Sequence, residues 1–82
     1  MIFLEALEDF AIHMKHKLLV HKNKGGFERL SSEELVKLLK KEVKELEVSL
    51  EAKDNGNTIR ECADVANYAM MIAMKIQNRR EV

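Results

Sequence analysis

Apolar residues recur with helical spacing in three separate stretches of the chain. Phe3, Leu7, Phe10, Met14 and Leu18 fall three or four residues apart, the period of one face of an amphipathic helix. Asn23-Lys24-Gly25-Gly26 interrupts that pattern, because paired glycines favour a loop, so the first helix is predicted over about residues 1–21. Ser31-x-x-Glu34 is a capping box and opens a second helix over about 32–52. Its apolar stripe is Leu35, Leu39, Val43, Leu46 and Leu50. Asp54-Asn55-Gly56-Asn57 is a turn signal, since these side chains bond locally to the backbone or tolerate left-handed conformations. A third helix is predicted to start at Asn57 or Thr58 and to run over about 58–79.

The third helix is apolar on two sides. Ile59, Cys62, Ala63, Ala66, Ala69, Met70 and Ala73 form one broad face, and Glu61, Asp64, Tyr68 and Ile72 share another. Two such faces call for two neighbours. The short turn makes helices two and three an antiparallel hairpin. A chain of 82 residues with no proline and many Ala, Leu, Glu, Lys and Met residues fits one all-α domain spanning residues 1–82. A domain this small buries only about 60–65% of its unfolded surface. The expected architecture is therefore a three-helix chain whose antiparallel bundle is completed by homo-oligomerisation, as a homodimer or homotetramer. The alanine-rich face of helix three is the expected site of close packing between copies.

Charge removes some alternatives. The formal net charge is zero, so no global field draws a nucleic-acid polymer or a membrane surface. The lysines are scattered, with no basic stripe interleaved with aromatics. Ala69 to Met74 is the longest apolar run and is too short to span a bilayer. Met1-Ile-Phe-Leu is followed at once by Glu5, Glu8 and Asp9, unlike a secretory leader. The single cysteine, Cys62, excludes an internal disulfide and fits a reducing compartment. The expectation is a cytoplasmic protein.

Two acid pairs then change the picture. Glu42-x-x-Glu45 and Glu61-x-x-Asp64 each have the spacing that puts both carboxylates on one helical face. With the turn centred near Asp54–Asn55, Glu45 comes level with Asp64, and Glu42 with Asn67. Clustered carboxylates beside apolar residues repel one another and resist ionisation, and a divalent cation reverses that cost. Mg²⁺ suits hard oxygen ligands, with Mn²⁺ as an alternative. The competing readings are structural. Glu-x-x-Glu in a Lys/Glu-rich helix is commonly solvated, Lys41 and Glu45 have ion-pair spacing, and Glu61 has capping-box spacing from Thr58.

The ordered set Glu42-Val-Lys-Glu45, fifteen intervening residues, and Glu61-Cys-Ala-Asp64 resembles the MazG-like, all-α nucleoside triphosphate pyrophosphohydrolase superfamily. Asp64-Val-Ala-Asn67-Tyr68 continues the likeness, and Lys24-Gly25-Gly26-Phe27-Glu28 resembles a segment of small members. The likeness covers about residues 22–76. It implies Mg²⁺-dependent hydrolysis of the α–β phosphate bond of a ribo- or deoxyribonucleoside triphosphate, giving the monophosphate and pyrophosphate. It implies Glu42, Glu45, Glu61 and Asp64 as metal ligands, with Glu45 also orienting the attacking water. The chain departs from fuller members in lacking an evident fourth helix, a wall that a second copy is expected to supply.

Other residues carry two readings each. Tyr68 either stacks on a nucleobase or sits in the core with its hydroxyl at the rim. Asn67 either binds a metal water or sugar hydroxyl or satisfies a backbone group. Lys24 either approaches the phosphates or lies in solvent. Phe27 either staples the second helix or walls a base pocket. His13, His16 and His21 read as a polar helix flank rather than a zinc site. Cys62 and Met70, Met71 and Met74 read as packing residues. The functional alternative to the hydrolase is a non-catalytic helical oligomerisation or interaction module, which uses the acids only for solubility.

Overall fold

The structure, a computed structural model, describes residues 2–21 and 27–81, with side chains for 2–20 and 27–78. It contains α1 (Ile2–His21), a 3₁₀ turn (Phe27–Arg29), α2 (Ser32–Glu51) and α3 (Asn55–Glu81). The described residues contain no strand, so the all-α expectation holds. No helix among them is long and apolar enough to cross a membrane.

The capping box forms at the start of α2. The Glu34 backbone N–H donates to Ser31 Oγ at 3.0 Å, and the Ser31 backbone N–H donates to Glu34 Oε1 at 2.9 Å. The Ser31 backbone bond, then its hydroxyl bond, holds the Glu34 carboxyl below the ordinary range. Such a cap contributes about 1 kcal/mol. Lys75 Nζ donates to Glu28 O at 3.0 Å and ties α3 to the turn that precedes α2.

The connection from α2 to α3 is tighter than the sequence suggests. The Asp54 N–H donates to Ser49 O and the Lys53 N–H to Leu50 O, each at 3.1 Å. These two bonds make a Schellman termination, with Lys53 in the left-handed region at φ 56°. Asp54 then caps α3. Its Oδ1 accepts from the Asn57 N–H at 3.2 Å, and its carbonyl accepts from the Thr58 N–H at 2.9 Å and the Thr58 hydroxyl at 2.8 Å. The turn signal is thus spent at Asp54, and α3 begins at Asn55 rather than at Asn57 or Thr58.

α3 packs against both α2 and α1. Leu35 of α2 and Ala63 of α3 are fully buried, and Ser49 and Asn67 are the buried polar residues among the described ones. Ser49 Oγ accepts from Asn57 Nδ2 at 2.6 Å, which satisfies both groups across the α2–α3 junction. α1 reaches α3 through Phe10, Met14, Lys17 and Leu18, which are half-buried. Asn67 Nδ2 donates to Met14 O at 3.0 Å, and Lys17 Nζ lies 3.2 Å from Asp64 Oδ2.

The alanine-rich face of α3, expected to meet a second copy, is partly consumed within the chain. Ala63 is buried and Cys62, Ala66 and Met70 are half-buried, while Ile59, Ala69 and Ala73 are exposed. The more prominent exposed apolar surface belongs to α1, where Phe3 is 83% and Ile2 79% exposed.

Candidate metal centre

Glu42 and Glu45 stand one turn apart on α2 and face Glu61 on α3. One carboxylate oxygen from each lies within 4.8 Å of the other two. The register follows from the turn. With Lys53 at its centre and Ser49 bonded to Asn57, Glu45 stands opposite Glu61, and Glu42 comes level with Asp64. The register expected from a turn at Asp54–Asn55 is displaced by about one helical turn, because the Schellman bonds close the chain earlier.

The displacement moves Asn67 one turn past the level of Glu42. It is 4% exposed and its amide group serves α1, so of its two sequence readings the backbone-satisfying one describes its contact. Asp64 keeps its place beside Glu42, and Lys17 Nζ lies 3.2 Å from its Oδ2. Tyr68 is half-buried within the field of the same group. Burial first, then the charges of Glu42, Asp64 and Glu45, push its hydroxyl above the ordinary range. Lys24 lies outside the described residues.

The three converging acids do not ionise alike. Burial first, then hydrogen bonding with Glu45 and Glu61, then the charges of Asp64 and Glu45, push Glu42 up to about 8. Glu45 is exposed and held below the ordinary range, chiefly because the Glu42 side chain donates to it. Glu42 Oε2 and Glu61 Oε2 are buried with no hydrogen-bond partner. Two buried acceptor oxygens without donors are costly. A proton held on Glu42 relieves the repulsion in part. A hard dication between the facing helices would relieve it further, since carboxylate oxygens are its preferred ligands. The donor set therefore fits Mg²⁺ or Mn²⁺.

The bland alternatives fare differently. Thr58 lies inside α3 with its hydroxyl on Asp54 O, so no Thr58–Glu61 capping box forms. Lys41 lowers Glu45 by its charge alone, and the close ion pair among the described residues is Lys17–Asp64. His13 and His16 are exposed and belong to no potential metal-ligand group among the described residues.

A groove of about 300 Å³ adjoins the acids and is lined by Lys44, Glu45, Val48, Ser49, Asn57 and Glu61. That volume sits at the lower end of small-molecule sites. Lys44, Val48, Ser49 and Asn57 were not evident as site residues from the sequence. A signal existed, since Ser49 is one turn beyond Glu45 and Asn57 one turn before Glu61. Lys17 was also missed; its signal is a charge placed on the Phe10–Met14–Leu18 side of α1.

No protein-family model, curated protein or solved structure matches the chain. The likeness to the MazG-like superfamily rests on the residue pattern.

Proposed function

We propose that this chain is a Mg²⁺-dependent nucleoside triphosphate pyrophosphohydrolase of MazG-like type, working in the cytoplasm as an antiparallel helical bundle completed by a second or further copies. The observation that carries the reading is the convergence of Glu42, Glu45 and Glu61 from facing helices, with two buried carboxylate oxygens left without donors. Glu42, Glu45 and Glu61 would hold the cation, and Asp64 would join them by exchanging Lys17. When bound, the cation neutralises the triphosphate and makes a bound water more acidic.

The chain's own groups supply the rest. Glu45 is held below the ordinary carboxylate range and is exposed, so it is ionised and can accept a proton from water as the water oxygen attacks the α-phosphorus. The α–β bridging bond then breaks, and its electron pair leaves with pyrophosphate. Lys44 lines the same groove and offers a positive charge to the phosphates. Tyr68 offers a ring face near the acids for the base.

The test is a nucleotide panel with product identification. With Mg²⁺, at least one ribo- or deoxyribonucleoside triphosphate should yield pyrophosphate and monophosphate rather than orthophosphate. Glu45→Gln and Asp64→Asn should each lower the rate at least about 100-fold while helicity persists. Silence across the panel would instead favour the interaction module. The observation on that side is Lys17 already neutralising Asp64.

A further inference from the structure

α1 is covered by α3 on one side, and it carries large apolar side chains outside that side as well. Its covered side is Phe10, Met14, Lys17 and Leu18, facing α3. On the flank that continues round from Leu18 lie Leu4, Glu8, Ala11, Ile12, Lys15 and Leu19, all exposed. Leu4, Ile12 and Leu19 are 57%, 53% and 52% exposed, so three large apolar side chains stand in water along this line.

The chain as a whole has surface to lose. It exposes 6590 Å², roughly 1,500 Å² more than the ~5,050 Å² expected of a compact monomer of 9.5 kDa. Its radius of gyration is 13.8 Å, against about 11.7 Å for a compact domain of this length. Each partner in an obligate dimer buries about 1,000–2,500 Å². The surplus falls in that range.

Charge order along α1 says what covers it. The N-terminal half carries Glu5, Glu8 and Asp9, and the C-terminal half carries Lys15 and Lys17. A helix with the opposite order would complement it, and a second α1 turned end for end has that order. We propose that the outer face of α1 is the self-association surface of this protein, pairing two copies antiparallel about a two-fold axis between Ala11 and Ile12. Residues equidistant from that midpoint then meet. Leu4 packs on the partner's Leu19, Ala11 on the partner's Ile12, and Glu8 pairs with the partner's Lys15. A parallel pair would set Glu8 against Glu8 and Lys15 against Lys15, which charge opposes. The two-fold operation makes every contact occur twice, so one face serves both copies. The zero net charge adds no long-range repulsion to the encounter.

This inference sharpens the oligomeric part of the function proposed above, replaces the alanine face of α3 as the interface, and is independent of catalysis. The test is light scattering with sedimentation on the full chain, and three variants. The wild type should run as a dimer. Glu8→Lys and Lys15→Glu should each weaken dimerisation about 10-fold, because each creates two like-charge contacts. The double variant Glu8→Lys/Lys15→Glu should recover the wild-type constant to within about 3-fold, since it restores both pairs. All three change exposed residues, and far-UV circular dichroism checks that helicity is kept. A wild type that stays monomeric at tens of micromolar overturns the interface and the oligomeric reading together. A dimer indifferent to the single variants, or single losses that the double variant fails to repair, overturns the α1 interface and leaves oligomerisation by another face standing.

Discussion

α2 and α3 meet through a junction closed at each level. Schellman bonds end α2, Asp54 caps α3, Ser49 and Asn57 bond across the turn, and Leu35 and Ala63 are fully buried. α1 meets α3 through one hydrogen bond from the Asn67 amide, one ion pair and a half-buried stripe, and leaves Ile2, Phe3, Leu4 and Leu7 open. The well-built pair carries the repulsive acids, and the poorly covered helix carries none of them. Strained chemistry needs a rigid support. A helix with open apolar faces needs company. The three converging acids lie on α2–α3, and the largest open apolar residues lie on α1.

Removing the strain should break the first half of that comparison most visibly. Glu42 is raised from 4.5 to about 8 in the folded protein. The folded state therefore holds more protons than the unfolded state between those values, and stability falls as pH rises through that window. The contribution is fully present below about 4.5 and lost by the time pH passes about 8. Glu45 and Glu34 are held low and act the other way, losing stability only at the acid end. Comparing Glu42→Gln with the wild type isolates the one group. The variant should gain melting temperature over the wild type progressively from pH 5 to pH 8.5. Mg²⁺ should raise the wild type more at pH 8.5 than at pH 5, and should help the variant less. A flat difference between the two proteins across this range would show that Glu42 is not strained.

Asn67 sharpens the other half. Its amide group is the buried polar link from α3 to α1, and its Oδ1 has no partner. Asn67→Ala leaves Met14 O without that donor and should destabilise the protein by about 1–3 kcal/mol. If α1 is the weaker attachment, hydrogen exchange should accelerate in α1 more than in α2. Equal acceleration in all three helices would mean that the chain opens as one unit, and the contrast between the regions would lose its energetic content.

What was legible in the sequence follows the same division. Helical periods, the Ser31–Glu34 box and the acid spacings are local patterns, and each reappears in the structure. The register of the acids depends on where the turn is centred. Asp54-Asn55-Gly56-Asn57 offered several positions, and nothing in Lys53 announced a left-handed residue. An error of about one residue and a half in the centre moved the pairing by about one helical turn. This exchanged Asn67 for Asp64 as the residue level with Glu42. The Lys17–Asp64 pair lay beyond reach because it depends on how α1 docks, and helical periodicity does not encode docking. The exposed face of α1 was hidden for a related reason. Its Phe3–Leu18 stripe dominated the pattern, while Leu4, Ile12 and Leu19 lay beside that stripe without forming so continuous a row.

Lys53 supplies the smallest effect. A residue with a Cβ is disfavoured in the left-handed region, and glycine is the usual occupant of this position in a Schellman termination. Lys53 sits there at φ 56° because Ser49 O and Leu50 O both receive bonds only if the chain reverses at this point. Lys53→Gly should relieve the strain and stabilise the protein by about 0.5–1 kcal/mol, although glycine also frees the unfolded chain. For a domain of this size that is a rise of roughly 2–8 °C in melting temperature. Because the turn centre sets the register of Glu45 against Glu61, the variant should leave Mg²⁺ stabilisation unchanged. A loss of Mg²⁺ stabilisation with the fold intact would mean that the lysine side chain, rather than the backbone conformation it adopts, holds the two acid pairs in step.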